Sequence, residues 1–309
     1  MRVLVATNMY PQPEWPAFGS FVQREVESLR DQGVDVDVLF MNGRASKVNY
    51  ARAYPRLWSR LRDDGYDLIH AHYVLSGLVS RAQRRLPIVL THWGIEVFRS
   101  WQAPVCQLTA RWFDGLIVQS SAMKEKLGVE AAHVIPAGID LHRFRPIPQN
   151  EARLKVGLPA GKRLVVWAGE HFRPEKRFDI AEQAMAQLQE RRSDVELVLL
   201  SGRPHDEVPA YLSACDVLLL TSDAEGSPNV VKEAMASNLP IVSTRVGDVP
   251  SIVDGTEGCF LCTQDPSEVA DRLADALAFG GRTDGREAVR SLGLAETSKR
   301  VIQVYEEVL

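Results

Sequence analysis

Cysteine is scarce in this chain, four in 309 residues, and four thiols cannot make the disulfide framework of a small secreted scaffold. Cys259 and Cys262 share a C-x-x-C spacing, but they stand in the apolar run GCFLC with no second pair and no nearby histidine. That pattern reads as two core cysteines. No apolar run approaches the ~20 residues of a membrane-spanning helix, and the opening MRVLVATNMYPQPEW turns polar too early for a secretory signal. A reducing, cytoplasmic setting is expected. The G-x-G-x-x-G that cradles phosphates in nicotinamide enzymes is missing after the first strand, where NMYPQPEWPAFGSF holds a single glycine, which argues against a dehydrogenase. The chain also lacks a strong overall charge, at −4, and no nucleic-acid partner is expected.

What is present suits two soluble domains of about 150 residues each: 45% of the residues are hydrophobic and 25% charged. The charge is uneven. Residues 1–150 carry 18 lysines and arginines against 14 acids, and the remainder 18 against 26. Much of the basic excess lies in KVNYARAYPRLWSRLRD, where Lys47, Arg52, Arg56 and Arg60 recur at near-helical spacing with Tyr54, Leu57, Trp58 and Leu61 between them. This predicts an amphipathic helix with a solvated basic face; contact with anionic lipid or a lipid-linked acceptor at the inner face of the membrane is the alternative.

Short β-branched runs alternate with helical stretches along the whole length, the pattern of βαβ units feeding a parallel sheet. Six strands are expected in the first half, at 3–7, 34–40, 67–71, 88–92, 115–120 and 133–137. Five more follow the proline-marked link RFRPIPQN, at 163–169, 195–201, 216–222, 240–244 and 259–262. Two such series joined at a break predict two doubly wound domains, 1–145 and 146–309, because open twisted sheets seldom grow so long. The last helical segment, 294–309, is free to pack on either. Ligands of such sheets lie beyond the carboxyl ends of the strands, so a cleft between the domains is the expected site.

The most informative stretch is EGSPNVVKE, residues 225–233, which follows a strand and opens a helix. Gly226, Ser227 and Pro228 form a tight turn whose backbone amides can face a phosphate or sugar hydroxyl at the helix start. Glu233 falls one turn beyond Asn229, and Glu225 sits before the turn, so two carboxylates are placed to bind two parts of one polyhydroxylated ligand. Capping groups and exposed glutamates give a similar spacing, and that reading stays open here. His70 and His72 in IHAHY alternate along a strand end, but without a third clustered ligand no metal site is expected.

E-x7-E within EGSPNVVKEAMASNLPIVST, followed by VGDVPSIV, resembles the signature of retaining GT-B glycosyltransferases. Further matches run along almost the whole chain: YPQPEWPAFGSFVQREVESL, IHAHYVLSG, THWGIEVF, VIPAGIDLHRFRP, AGEHFRPEKRFD and PHDEVPAYLSACDVLLLTS. The group that builds teichuronic acid and related capsular polymers is the nearest in character. The resemblance implies two Rossmann-like domains, the first for the acceptor and the second for the nucleotide-sugar donor, facing a cleft. It implies metal-independent transfer of a sugar from a nucleotide diphosphate, UDP- or GDP-linked, to a glycan or lipid-linked acceptor hydroxyl, with no cofactor. Glu233 would bind the ribose hydroxyls and Glu225 the transferred sugar. The turn at Gly226, Ser227, Pro228 and Asn229 would meet sugar or diphosphate, and Lys176 would neutralise the leaving diphosphate. Gly19 and Gly169 would allow close approach of their loops.

Two departures stand out. Where the family usually places an arginine after the strand-end glycine, Gly169 is followed by Glu170, which leaves Arg173, or failing it Arg177, to supply the guanidinium. Where a histidine usually precedes the glycine of the THWGIEVF motif, Trp93 stands instead, with His92 before it as the cleft-facing candidate; Glu96 is expected to orient that loop on the acceptor side. The rival readings are a sugar-nucleotide epimerase or phosphorylase on the same architecture, and a nucleotide-sugar-binding homologue that has lost activity.

Overall fold

A computed structural model of the chain describes residues 1–15, 18–63, 65–98, 101–204 and 206–309. Among these, eleven strands form two sheets, and every pairing is parallel. The first half supplies β1 (Arg2–Thr7), β2 (Asp35–Phe40), β3 (Leu68–His72), β4 (Ile88–His92), β5 (Gly115–Val118) and β6 (His133–Val134). The second supplies β7 (Arg163–Trp167), β8 (Val195–Leu199), β9 (Val217–Leu220), β10 (Ile241–Thr244) and β11 (Cys259–Cys262). Each expected strand is found, within a few residues of its expected ends.

The strand orders are β2-β1-β3-β4-β5-β6 and β11-β10-β9-β7-β8. Both are the doubly wound order in which the second strand lies outside the first and the third inside it. That order has a switch point, between β1 and β3 in one sheet and between β7 and β9 in the other, where successive connections leave in opposite directions and a crevice opens at the carboxyl ends. Sequence makes the sheets two-faced. In β1, Leu4 and Ala6 pack with Ala53 and Leu57 of the helix Val48–Asp63. Their neighbours Val3 and Val5 pack on the other face with Val22, Val26 and Leu29, whose spacing puts them on one side of the helix Ser20–Asp31. The second sheet repeats this, with Leu164 and Val166 on one face and Val165 and Trp167 on the other.

The chain divides into two compact units, 1–138 with 294–309, and 139–293. The break thus falls between Gly138 and Ile139, seven residues before the expected boundary at 145/146. The intervening stretch belongs to the second unit because Phe144 is fully buried in its core, and Arg286 donates to the carbonyls of Phe144 and Leu141, both at 2.6 Å. The final helix, Leu294–Val308, buries Val301, Val304 and Tyr305 against the first sheet. The four cysteines are free thiols. Cys259 packs toward one face of its sheet and Cys262 toward the other, as an odd separation along a strand requires, so they serve two cores. No helix among the described residues is long and apolar enough to cross a membrane.

Candidate functional site

In the second unit, the switch point itself assembles the candidate residues. The loop after β7 carries Gly169, Arg173, Lys176 and Arg177, and the loop after β9 carries Glu225. Trp167 Nε1 donates to Thr221 Oγ1 at 3.1 Å, and the Thr221 hydroxyl lies 2.9 Å from both the Lys176 and Arg177 carbonyls. The Asp223 amide donates to the Glu175 carbonyl at 2.9 Å. Stitched in this way, Lys176 Nζ donates to Glu225 Oε1 at 2.5 Å, and Ser222 Oγ donates to the same oxygen at 2.7 Å. Both charged side chains are about one-sixth exposed, 17% and 16%, so the pair is open to a ligand on one side. A cation and a carboxylate expected on different parts of one donor thus stand in contact, each holding the other's rotamer.

The two arginines are engaged elsewhere. Arg173 bonds Glu175 Oε1 through Nε (3.0 Å) and Nη2 (2.6 Å). Arg177 grips Asp179 with two parallel bonds, at 3.0 and 2.9 Å, and reaches Asp223 at 3.2 Å. Neither presents a vacant fork to a phosphate. Gly169 is small for a protein neighbour: a Cβ there would stand 2.9 Å from the Trp167 ring.

The E-x7-E stretch forms the turn and helix expected, with the helix at Asn229–Ala236. One correction is elementary. Pro228 has no amide hydrogen, so the donors the turn can offer are the N–H groups of Gly226 and Ser227. Glu233 is nearly buried, at 6% exposure. The loop after β10 presses on this turn. Gly247 has φ +55°, and a Cβ on it would lie 2.5 Å from the Gly226 carbonyl oxygen.

In the first unit, the residues at the β1/β3 switch point make a different environment. Gly19 adopts φ +74° at the start of the helix Ser20–Asp31, and a Cβ there would lie 2.3 Å from the Met9 carbonyl carbon. The close approach this glycine permits within the chain is to the Met9–Tyr10 backbone. His92, expected to face the ligand, is fully buried, with neither ring nitrogen hydrogen-bonded and Nδ1 3.6 Å from Glu96 Oε1. Trp93 is the partly exposed one of the two. Glu96 does orient its loop: its oxygens accept from the amides of Trp93 (2.7 Å) and Gly94 (3.1 Å). Burial pushes the Glu96 carboxyl up, but the His92 ring and these amides outweigh it and hold it below its ordinary value.

The sequence reading missed a third group beside His70 and His72. Glu25, from the helix Ser20–Asp31, brings Oε1 within 3.5 Å of His72 Nε2 and 3.8 Å of His70 Nδ1, a trio compact enough to hold a metal ion. The hydrogen bonds argue against that use. Trp93 Nε1, a donor only, gives its proton to His72 Nδ1 at 2.9 Å, which places the neutral ring's proton on Nε2, the nitrogen aimed at Glu25. A metal-ligating imidazole shows the reverse arrangement, donating from its second nitrogen. His70 pairs with Thr91 Oγ1 at 2.7 Å and Tyr305 OH at 2.6 Å, so both its nitrogens are occupied. Burial holds His70 down to about 3 and His72 well below its ordinary value, and raises Glu25 to about 8. At neutral pH this is a network of uncharged groups. Trp93, stacked on His72 (15° between planes) and against Phe21, is its face toward the loops. Tyr73, which follows His72 at the end of β3, holds φ +77°, an uncommon backbone state for an aromatic residue.

Two parallel-sheet α/β units of this strand order have the GT-B fold of the solved glycosyltransferases below, and the chain carries a region matching glycosyltransferase family 4 followed by one matching glycosyl transferases group 1. The family described as Glycosyltransferase Family 4 matches residues 3–143, and Glycosyl transferases group 1 matches residues 198–278. Among similar proteins is TuaC of Bacillus subtilis (strain 168), named as a teichuronic acid biosynthesis glycosyltransferase. It is 26% identical, with 82% of this chain and 83% of that protein covered. A D-inositol 3-phosphate glycosyltransferase of Saccharomonospora viridis is 27% identical, covering 79% of this chain and 70% of its own. The fold is shared with sucrose-phosphate synthase from Thermosynechococcus elongatus (TM-score 0.82, 21% identity, 99% and 98% covered). It is also shared with HepE from Anabaena, solved with UDP-glucose (TM-score 0.74, 18% identity, 98% of each chain).

Proposed function

We propose that this chain moves a sugar from a nucleotide diphosphate sugar to an acceptor hydroxyl with retention of anomeric configuration, without a metal, in the making of a cell-surface polysaccharide or glycolipid. The observation that carries the reading is the contact between Lys176 and Glu225 at the β7/β9 switch point, beside the amides of Gly226 and Ser227. Charge builds on the departing diphosphate as the glycosidic bond breaks. A fixed ammonium and helix-start amides meet that charge without reorganising, the role that a metal ion plays elsewhere. Glu225 then takes hydroxyls of the transferred sugar and Glu233 the ribose diol, while a donor phosphate oxygen accepts the acceptor's proton. No side-chain nucleophile is needed.

The second unit is the donor-binding half in this reading, with UDP or GDP as the leaving group, and the first unit binds the acceptor. The first unit's basic helix Val48–Asp63 exposes Val48, Tyr54 and Trp58 among its arginines, which supports peripheral contact with the inner face of a membrane and a lipid-linked acceptor. A panel of nucleotide sugars, each with and without glycan and lipid-linked acceptors, tests the reading. Free nucleoside diphosphate forming only with an acceptor present, a product of unchanged anomeric configuration by NMR, and loss of both in Glu233→Ala are expected. Turnover that needs no acceptor points instead to an epimerase or phosphorylase, and donor binding without turnover to an inactive homologue.

A further inference from the structure

The turn that opens the helix Asn229–Ala236 is held from behind by a buried lysine. Lys232 is fully buried on that helix, and its Nζ donates to Ser227 Oγ at 2.9 Å. Ser227 donates in turn to Asp248 Oδ2 at 2.5 Å. A hydroxyl has one proton, and this one is directed to Asp248, so the Ser227 side chain has none to give a ligand. Asp248 stands at the start of the helix Val249–Val253, yet its side chain does not cap that helix; it is turned to Ser227, and its Oδ1 is buried without a hydrogen-bond partner. Burial pushes the Asp248 carboxyl up, and the Lys232 charge pulls it back. The glycine beside it, Gly247, brings the two loops into backbone contact at the Gly226 carbonyl.

Stability gives no reason to place a lysine here. Ions removed from water are costly even when paired, and replacing a buried pair with well-packed apolar groups is often neutral or stabilising. The neighbours Val231 and Ala234 are fully buried, so an apolar side chain at 232 would extend an existing core. What the charge does that an apolar group cannot is fix the direction of two hydrogen bonds in series. Those bonds tie the loop after β9 to the loop after β10.

We propose that Lys232, Ser227 and Asp248 form a buried positioning triad that holds the turn 225–228 in the conformation in which the Gly226 and Ser227 amides meet a donor diphosphate. The three side chains touch no substrate, which meets only the backbone amide of Ser227; Lys232 acts through Ser227 and Asp248. The inference rests on the nucleotide-sugar reading of the site and adds to it a set of residues that tune grip on the diphosphate without touching the nucleoside.

The test is calorimetric titration of the full chain with UDP and uridine, and with GDP and guanosine. The parent binds one diphosphate more tightly than its nucleoside. In Lys232→Met the affinity for that diphosphate falls about 10- to 100-fold, the scale of one or two charge-assisted hydrogen bonds misplaced, while the nucleoside's stays within about twofold. Lys232→Arg recovers most of the loss, and Asp248→Asn, which keeps shape without charge, falls between. Should Lys232→Met not fold, Asp248→Asn carries the same selective signature. Equal losses for diphosphate and nucleoside, or an unchanged diphosphate affinity, overturn the triad. A parent that binds neither diphosphate overturns the donor reading itself, and the triad with it.

Discussion

At the β7/β9 switch point of the second unit the polar side chains are charged, paired and partly open to solvent; at the β1/β3 switch point of the first they are buried, aromatic or uncharged. Lys176 and Glu225 represent the one kind and the Glu25, His70, His72, Tyr305 and Trp93 network the other. The strand order is the same around both sites, so topology fixes where a ligand can bind and the side chains decide what sort. A diphosphate suits the second environment. The uncharged surroundings of the first offer no counter-charge to a diphosphate, which agrees with the division of labour proposed above.

If the contrast is real, the largest effect belongs to Lys176. Lys176→Ala should lower the rate of sugar transfer about 100- to 1,000-fold, or roughly 3 to 4 kcal/mol, because the charge on the departing diphosphate is no longer met. Steady-state release of nucleoside diphosphate measures it, and a loss under tenfold would place the work elsewhere. Next come two glycines with left-handed backbones, one crowded and one not. Gly19→Ala combines a left-handed backbone with a Cβ driven into the Met9 carbonyl, at an expected cost of about 3 kcal/mol in denaturant unfolding. Gly33→Ala, with φ +87° but open space, should cost about 1 kcal/mol, from the backbone alone.

The neutral network sets a pH signature. His70 titrates near 3 in the folded chain and near 6.5 unfolded, so the unfolded state takes up protons that the folded state refuses, and stability falls as pH drops from about 6.5 toward 3. Glu25 acts in the opposite direction. Its folded carboxyl stays protonated up to about 8, against an ordinary value of 4.5, so stability falls as pH rises between those values. Glu25→Gln should remove the alkaline loss, raising Tm at pH 8 by about 3 °C or more while leaving it unchanged near pH 4.5. Thermal melts across that range decide it, and a parent that gains stability from pH 5 to pH 8 while Glu25→Gln does not would mean the carboxylate is charged and paired. The smallest effect is expected at Arg173. Because its guanidinium is bound to Glu175, Arg173→Ala should change kcat/KM by about threefold or less.

Much of this was legible in the sequence. Near-continuous apolar runs flanked by turn residues marked all eleven strands, because parallel strands buried on both faces have little choice of composition. Glu225 and Glu233 stood out by their spacing about one turn and helix start and Lys176 by the resemblance alone, and the structure brings Lys176 and Glu225 into contact. What could not be read was pairing at a distance. Glu25 lies in QREVESL, and Lys232 and Asp248 lie in stretches quoted for other reasons, but nothing in one sequence says that a glutamate will meet two histidines 45 positions later, or that a lysine will turn inward. His92 failed for a related reason: alternation along a strand says that neighbours point to opposite faces without saying which face is covered. The neighbours that demand a glycine at 19, the Met9–Tyr10 backbone, could not be read from the sequence either.

The most direct test of the contrast is UDP binding measured by calorimetry in the parent, in Lys176→Ala and in His72→Gln. Diphosphate affinity should drop about 100-fold or more in Lys176→Ala and stay within about twofold of the parent in His72→Gln. The reverse pattern, with UDP lost in His72→Gln and retained in Lys176→Ala, would contradict the assignment of the diphosphate to the second unit.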